Sequence, residues 1–128
     1  MGGPSLLKML TTYRELVVWQ RAIELVKEIY MTTKLLPKDE LYGLSSQMRR
    51  AAISIPSNVA EGQQRKSLKE FIQFLRISYG SAAELETQLI ISRGIYPSIN
   101  FSKSESLLKE VHKMLNAMIQ KLESKRES

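Results

Sequence analysis

Three groups of residues in this 128-residue sequence carry side chains that could do chemistry. The first is a carboxylate pair, Glu84 and Glu86, in a helical stretch. General acid and base work needs two groups converging on one substrate, and helix positions two apart point in different directions, about 200° from each other. Glu84 reads instead as an ion-pair partner for an arginine of the second helix, Arg50, within the bundle or across a subunit interface. The sole histidine, His112, sits on a helix between Val111 and Lys113, where a lone imidazole is ordinarily a surface or satisfied residue. A di-iron bundle needs two Glu-x-x-His motifs and this chain has none; with no cysteine it has no thiolate metal site and no disulfide. Gly62-Gln63-Gln64-Arg65-Lys66 lacks the spacing of a phosphate-binding loop. The residues therefore imply no catalytic site, no metal and no cofactor.

The second group is a polar stripe. At 100° per residue, Gln47, Arg50, Ser54, Ser57, Asn58 and Glu61 fall within an arc of about 100° on one helix. Such a stripe either forms a hydrogen-bonded network that fixes register between helices or subunits, or reads a ligand. The third group is cationic. Of the net charge of +6, residues 44 to 83 supply six basic and two acidic groups, hence +4. Arg49, Arg65, Lys66, Lys69 and Arg76 are the candidates there for nucleic-acid phosphates, against the reading of an ordinary solvated surface. Only Phe74 and Tyr79 lie near them, and both read as packed, so RNA contact would be to backbone or shape rather than through stacked bases.

These residues must be positioned by helices. Leu16, Trp19, Ile23, Val26, Tyr30 and Thr33 repeat at alternating spacings of three and four, with Val18, Ala22, Leu25 and Ile29 broadening the seam. Thr12-x-x-Glu15 offers a capping box before it, and Leu36-Pro37 ends it. The second helix has Leu44, Met48, Ala51, Ala52, Ile55 and Val59 on one face and Ile53, Pro56, Ala60 and Arg49 on another, and so is expected to be buried on two sides. Pro56 predicts a kink, with Ser54 and Ser57 partnering freed backbone groups, and Gly62 predicts a C-terminal cap. A third helix has the seam Leu68, Phe71, Leu75, Ser78, Ala82, Leu85 and Leu89 behind a Ser67-x-x-Glu70 capping box, and Gly80 to Ala83 would admit a close neighbour. Trp19 is expected to be buried in a core or an interface. The fourth carries Leu108, Val111, Leu115, Met118 and Leu122 behind Ser102-x-x-Glu105. One domain follows: a flexible lead-in at 1–11, a bundle at 12–124 with helices at about 13–35, 40–62, 67–94 and 103–124, and a frayed end at 125–128. Short connections predict an all-α, antiparallel up-down-up-down four-helix bundle with a proline-kinked second helix. Helices 2 and 3 show more apolar surface than one core can hide, which predicts an oligomer.

The pattern Leu44-x-x-Gln47-x-Arg49-Arg50-Ala51-x-x-Ser54-Ile55-Pro56-x-Asn58-x-Ala60-Glu61-Gly62 resembles the four-helix-bundle proteins encoded in intervening sequences of ribosomal RNA genes and their stand-alone bacterial relatives. Val17-Val18-Trp19-Gln20 is similar to the family's opening signature. Phe71-x-x-Phe74-Leu75-x-Ile77-x-x-Gly80-Ser81-x-x-Glu84-Leu85-Glu86-Thr87-x-Leu89 is similar to its third helix, with Ser78-Tyr79 in place of a more usual small-plus-basic pair. The resemblance implies a left-handed bundle, a homopentameric ring and a link to RNA.

Two functions follow as expectations. One is a non-enzymatic RNA-associated homo-oligomer working through its basic surface; the other is a scaffold that recruits a protein partner, with no role for nucleic acid. No stretch approaches the roughly 20 apolar residues of a membrane span, and no signal peptide or myristoylation pattern opens the chain, so a cytoplasmic location is expected.

Overall fold

The structure, a computed structural model, describes residues 12–127. The lead-in read for residues 1–11, and Ser128, lie outside the described residues. The chain forms α1 (Val17–Thr33), α2 (Leu44–Gln64), α3 (Leu68–Ile95) and α4 (Ser102–Glu127), with 3-10 turns at Tyr13–Glu15 and Lys38–Glu40 and no strand among the described residues. α1 and α3 each pack on both α2 and α4, which makes an all-α four-helix bundle. Contacts between α2 and α3 run from Gly62 against Phe74, through Ile55 with Ser78 and Ser54 with Ser81, to Met48 with Ser92. Between α3 and α4 they run from Arg76 with Glu123 to Arg93 with Glu105, and between α1 and α4 from Arg21 with Glu110 to Thr32 with Ser104. Numbering rises along one helix as it falls along the other, the order of antiparallel neighbours.

The core is apolar and layered: Ala22, Leu25 and Ile29 from α1, Met48, Ile55 and Val59 from α2, Phe71, Leu75 and Leu85 from α3, and Val111, Leu115 and Leu122 from α4. On α1 the two lines exchange roles. Val18, Ala22, Leu25 and Ile29, read as the broadening line, are buried, whereas Trp19, Ile23 and Val26 are half-buried and Tyr30 is exposed. The apolar arc of α1 is wider than one core, and its seam residues border α2.

Helix ends depart from expectation for local reasons. Residues 13–15 form a 3-10 turn capped by Thr12, whose Oγ1 accepts from Arg14 N–H at 3.4 Å, and Leu16 is extended between turn and helix so that its side chain can be buried. α2 starts at Leu44 with Gly43 as its N-cap. Glycine has no capping side chain, and Glu40 supplies one: its Oε1 accepts from Leu44 N–H at 3.3 Å while its Oε2 accepts from the Tyr96 hydroxyl at 2.5 Å. A Cβ at position 43 would stand 2.9 Å from that Oε1. Ser67 caps α3 through Glu70 N–H at 3.3 Å, as its motif predicts. At α4 the cap is Asn100, whose Oδ1 accepts from Ser102 N–H at 2.9 Å, rather than Ser102 itself. α4 continues helical to Glu127, past the expected end at 124.

Two corrections concern α2, one to the role expected of Ser57 and one to that of Gly62. The helix is continuous through Pro56. The two carbonyls just before the proline accept side-chain donors: Asn58 Nδ2 donates to Ser54 C=O at 2.8 Å, and the hydroxyl of Ser78 of α3 donates to Ile55 C=O at 2.8 Å. Ser57, expected to help, is exposed, and its hydroxyl makes no hydrogen bond with a described residue. Gly62 is not a cap. It is buried inside α2, where a Cβ would come within 2.6 Å of Phe74 Cβ and 3.2 Å of Phe71 Cδ1, and the left-handed residue after the helix is Lys66, with φ 56°. Gly80, expected to admit a close neighbour, is exposed with nothing within 4 Å of where a Cβ would stand; the small residues that reach α2 are Ser78 and Ser81.

Gly62→Ala should therefore lower the unfolding free energy by about 1–3 kcal/mol through overpacking, while Gly80→Ala raises it by about 0.5–1 kcal/mol through helix propensity. Chemical denaturation reads both, and a stabilising Gly62→Ala would contradict the packing. Hydrogen bonding to Glu40, then burial, then the charges of Glu40 and Asp39 hold the Tyr96 hydroxyl above its ordinary value of 10.0. A raised folded-state value means that this stabilisation is complete below the unfolded-state pKa and is lost as pH rises through the folded one. Above about pH 10 the thermal midpoint should fall more steeply for the native chain than for Tyr96→Phe. Parallel profiles would show that the contact contributes nothing.

Candidate functional site

Two grooves flank α2, and the 100° step between its residues sorts side chains into them. Toward α1 lies an apolar groove of about 300 Å³, formed by Trp19, Ile23 and Val26 with Ile53, Pro56 and Ala60. The Tyr13 ring stands 5.3 Å from Trp19, which is half-buried beside it. Toward α3 lies a polar groove of about 410 Å³, lined by Gln47, Arg50, Ala51 and Ser54 from α2 and Glu84 and Gln88 from α3.

The polar stripe read from the sequence is thereby divided. Ser54 and Asn58 form a satisfied cluster with α3: the Ser54 and Ser81 hydroxyls are 2.8 Å apart, and Asn58 Nδ2 donates to Ser54 Oγ at 2.9 Å. Ser57 instead lines the apolar groove, and Glu61 pairs with Arg65 one turn on, at 3.2 Å. Gln47, Arg50 and Glu84 share the polar groove, yet none of their side chains is bonded to a described residue, and the expected Arg50–Glu84 ion pair does not form within the subunit. Gln88, which the sequence reading missed, also lines this groove and is 7% exposed, and its Oε1 is buried without a hydrogen-bond partner among the described residues. Its position one turn after Glu84 was the available signal, hidden by its apolar neighbours in the α3 seam.

The cationic candidates separate as well. Arg49 is drawn into the bundle: its Nε donates to Thr33 Oγ1 at 2.9 Å and its guanidinium lies 4.6 Å over the Tyr30 ring, at the C-terminal end of α1, where the helix dipole favours a cation. Arg65, Lys66, Lys69 and Arg76 gather where α2 passes into α3. Arg65 covers Phe74 at 5.1 Å and reaches Glu61 at 3.2 Å and Glu70 at 3.8 Å; Arg76 reaches Glu123 at 3.6 Å. Lys66 and Lys69 are exposed and pair with no described acidic residue.

Glu84 and Glu86 open onto different grooves, since Glu86 lines one of about 500 Å³ between α3 and α4 with His112, Lys109 and Lys113. His112 is stacked on Tyr79, ring centroids 4.3 Å apart. Among the described residues no three acidic or histidine side chains cluster as metal ligands, and no helix is long and apolar enough to cross a membrane.

Fold and grooves define an all-α four-helix bundle with an apolar groove on one flank of α2 and a polar groove on the other. The chain belongs to the 23S rRNA-intervening sequence protein family, whose model matches residues 14–117. A solved relative, a protein of unknown function from the S23 ribosomal protein family of Bacteroides thetaiotaomicron, is 27% identical over 81% of this chain and 96% of its own, with a TM-score of 0.69. No curated protein matches the chain.

The neighbouring arginines of α2 make a direct comparison. Arg49→Met should cost about 1–2 kcal/mol through its lost hydrogen bond and ring contact. Arg50→Met, which removes no hydrogen bond or ion pair with a described residue, should stay within about 0.5 kcal/mol. Equal losses in denaturant would put Arg50 in a stabilising network after all.

Proposed function

We propose that the protein is a non-enzymatic homo-oligomer, assembled as a pentamer in the cytoplasm, that binds RNA backbone through the end of the bundle where α2 meets α3. The observation that carries the RNA reading is the pair Lys66 and Lys69, exposed and without a described acidic partner, beside Arg65 and Arg76. Unpaired cations release counterions from phosphate on binding, whereas paired ones must first give up their carboxylates. The family's description, which ties it to intervening sequences of 23S rRNA, supports the same direction. Assembly would repeat this end around a ring and multiply weak contacts by avidity. The apolar groove between α1 and α2 and the exposed Ile77, Ile90, Ile91 and Ile95 of α3 support self-association.

Those same apolar surfaces favour a second reading, a scaffold that recruits a protein partner. A single stoichiometric protein recovered with the native chain after nuclease treatment, together with no RNA affinity, would decide for it.

Binding of a structured RNA, followed by fluorescence anisotropy at about 50 and 200 mM salt, tests the first reading. Affinity should fall steeply with salt, and reversal of Lys66 and Lys69 to Glu should abolish binding with the helical signal intact. Adding Arg65→Glu would also break the pairs with Glu61 and Glu70, so the lysine double reversal is the cleaner control. Salt-independent binding, or full binding by the reversal, would overturn the proposal.

A further inference from the structure

The polar groove between α2 and α3 holds hydrogen-bonding capacity that the subunit leaves unused. On the α3 wall stand Glu84 and Gln88, one helical turn apart; the Glu84 carboxylate has no described partner, and Gln88 Oε1 is buried without a described donor. On the α2 wall, Gln47 and Arg50 are likewise one turn apart, and the guanidinium makes no ion pair with a described residue. A buried acceptor without a donor costs about 1–3 kcal/mol, which is strong reason for something to fill it. Ser54, which also lines the groove, is bonded to Asn58 and Ser81, so the unused capacity lies with Gln47, Arg50, Glu84 and Gln88.

We infer that the α2–α3 groove is a pocket for the edge of one guanine base. The complement required is N–H donors toward Glu84 and Gln88 with acceptors toward Arg50. Guanine carries both: N1–H and the N2 amine lie side by side on the edge that a carboxylate can accept from, and O6 and N7 are acceptors that arginine engages in its commonest specific base contact. Adenine and cytosine bring one amino group to that edge, and uracil brings a single N–H. A groove of about 410 Å³ lies within the roughly 300–1,000 Å³ of small-molecule pockets. Unstacked bases of single-stranded RNA are read by such contacts along their edges. For a base within a strand the inference rests on the RNA reading above; a free guanine nucleotide presents the same edge, and the experiment separates the two sources.

The test uses the full chain and short uridine-rich RNAs that differ at one position: guanosine, inosine, which lacks the N2 amine, or uridine. Anisotropy should show the guanosine strand bound at least about fivefold more tightly than the inosine strand. That preference should vanish in Glu84→Gln and in Gln88→Met, while affinity for the all-uridine strand stays at the native level. Equal binding of all three strands by the native chain, still abolished by the lysine reversal, would overturn the base pocket and leave backbone contact standing. If no RNA binds but guanosine monophosphate shifts the Gln88 side-chain amide signals in NMR, the pocket stands with a free nucleotide as its ligand and the RNA reading falls. If neither binds, both fall. A changed sedimentation coefficient for Glu84→Gln would also overturn the inference, by showing that a second copy of the chain fills the groove.

Discussion

The close approach of α2 to α3 is the constraint on which the rest of the bundle depends. It is set at one end by Gly62, where there is no space for a Cβ against Phe74, and continued by Ser78 and Ser81 along the facing side of α3. Because the two backbones are near, short hydroxyl side chains reach across, and the Ser78 hydroxyl lands on the carbonyl of Ile55, beside the proline that would otherwise weaken this turn. A helix carrying a proline at its centre is thus supported from its neighbour rather than from its own serines. Larger side chains such as Phe71, Leu75 and Leu85 are fully buried in the core beside this seam.

That arrangement leaves two sides of α2 accessible, and they differ in character. Arg49, Ile53, Pro56 and Ala60 turn toward α1; Gln47, Arg50, Ser54 and Asn58 turn toward α3. Adjacent arginines consequently meet opposite environments: one is fixed over a tyrosine at a helix terminus, and the other stands in a groove with no described partner. Sequence proximity on a helix says little about shared function when the angular step between residues is 100°.

Much of the fold was legible because the apolar spacing is strong. The α3 seam from Phe71 to Leu89 is buried as its heptads required, and so are Leu108, Val111, Leu115 and Leu122 of α4. What spacing could not supply was which of two apolar lines on α1 faces the centre, since that depends on where α2 sits. Gly62 looked like a helix stop because glycine and a following loop usually mean one; the need for space beside Phe74 is a tertiary fact. The cap of α2 was hidden for the same reason, as its acceptor, Glu40, lies outside the usual capping position and is held by Tyr96, 56 residues away. The candidate groove was half legible: Gln47, Arg50 and Glu84 were singled out, while Gln88 was masked by its place among apolar seam residues.

The contact between Glu40 and Tyr96 has a consequence for the order in which the chain can assemble. Three residues join α2 to α3, whereas this contact closes a loop across 56 residues. On loop entropy alone the longer closure costs roughly 2–3 kcal/mol more. Once the α2–α3 hairpin is in register as far as Met48 and Ser92, Glu40 and Tyr96 lie only eight and four residues beyond a fixed pair, and most of that entropic cost is gone. Sequence distance overstates the difficulty of this contact; its cost is conditional on the hairpin, which makes it a late event that depends on an early one.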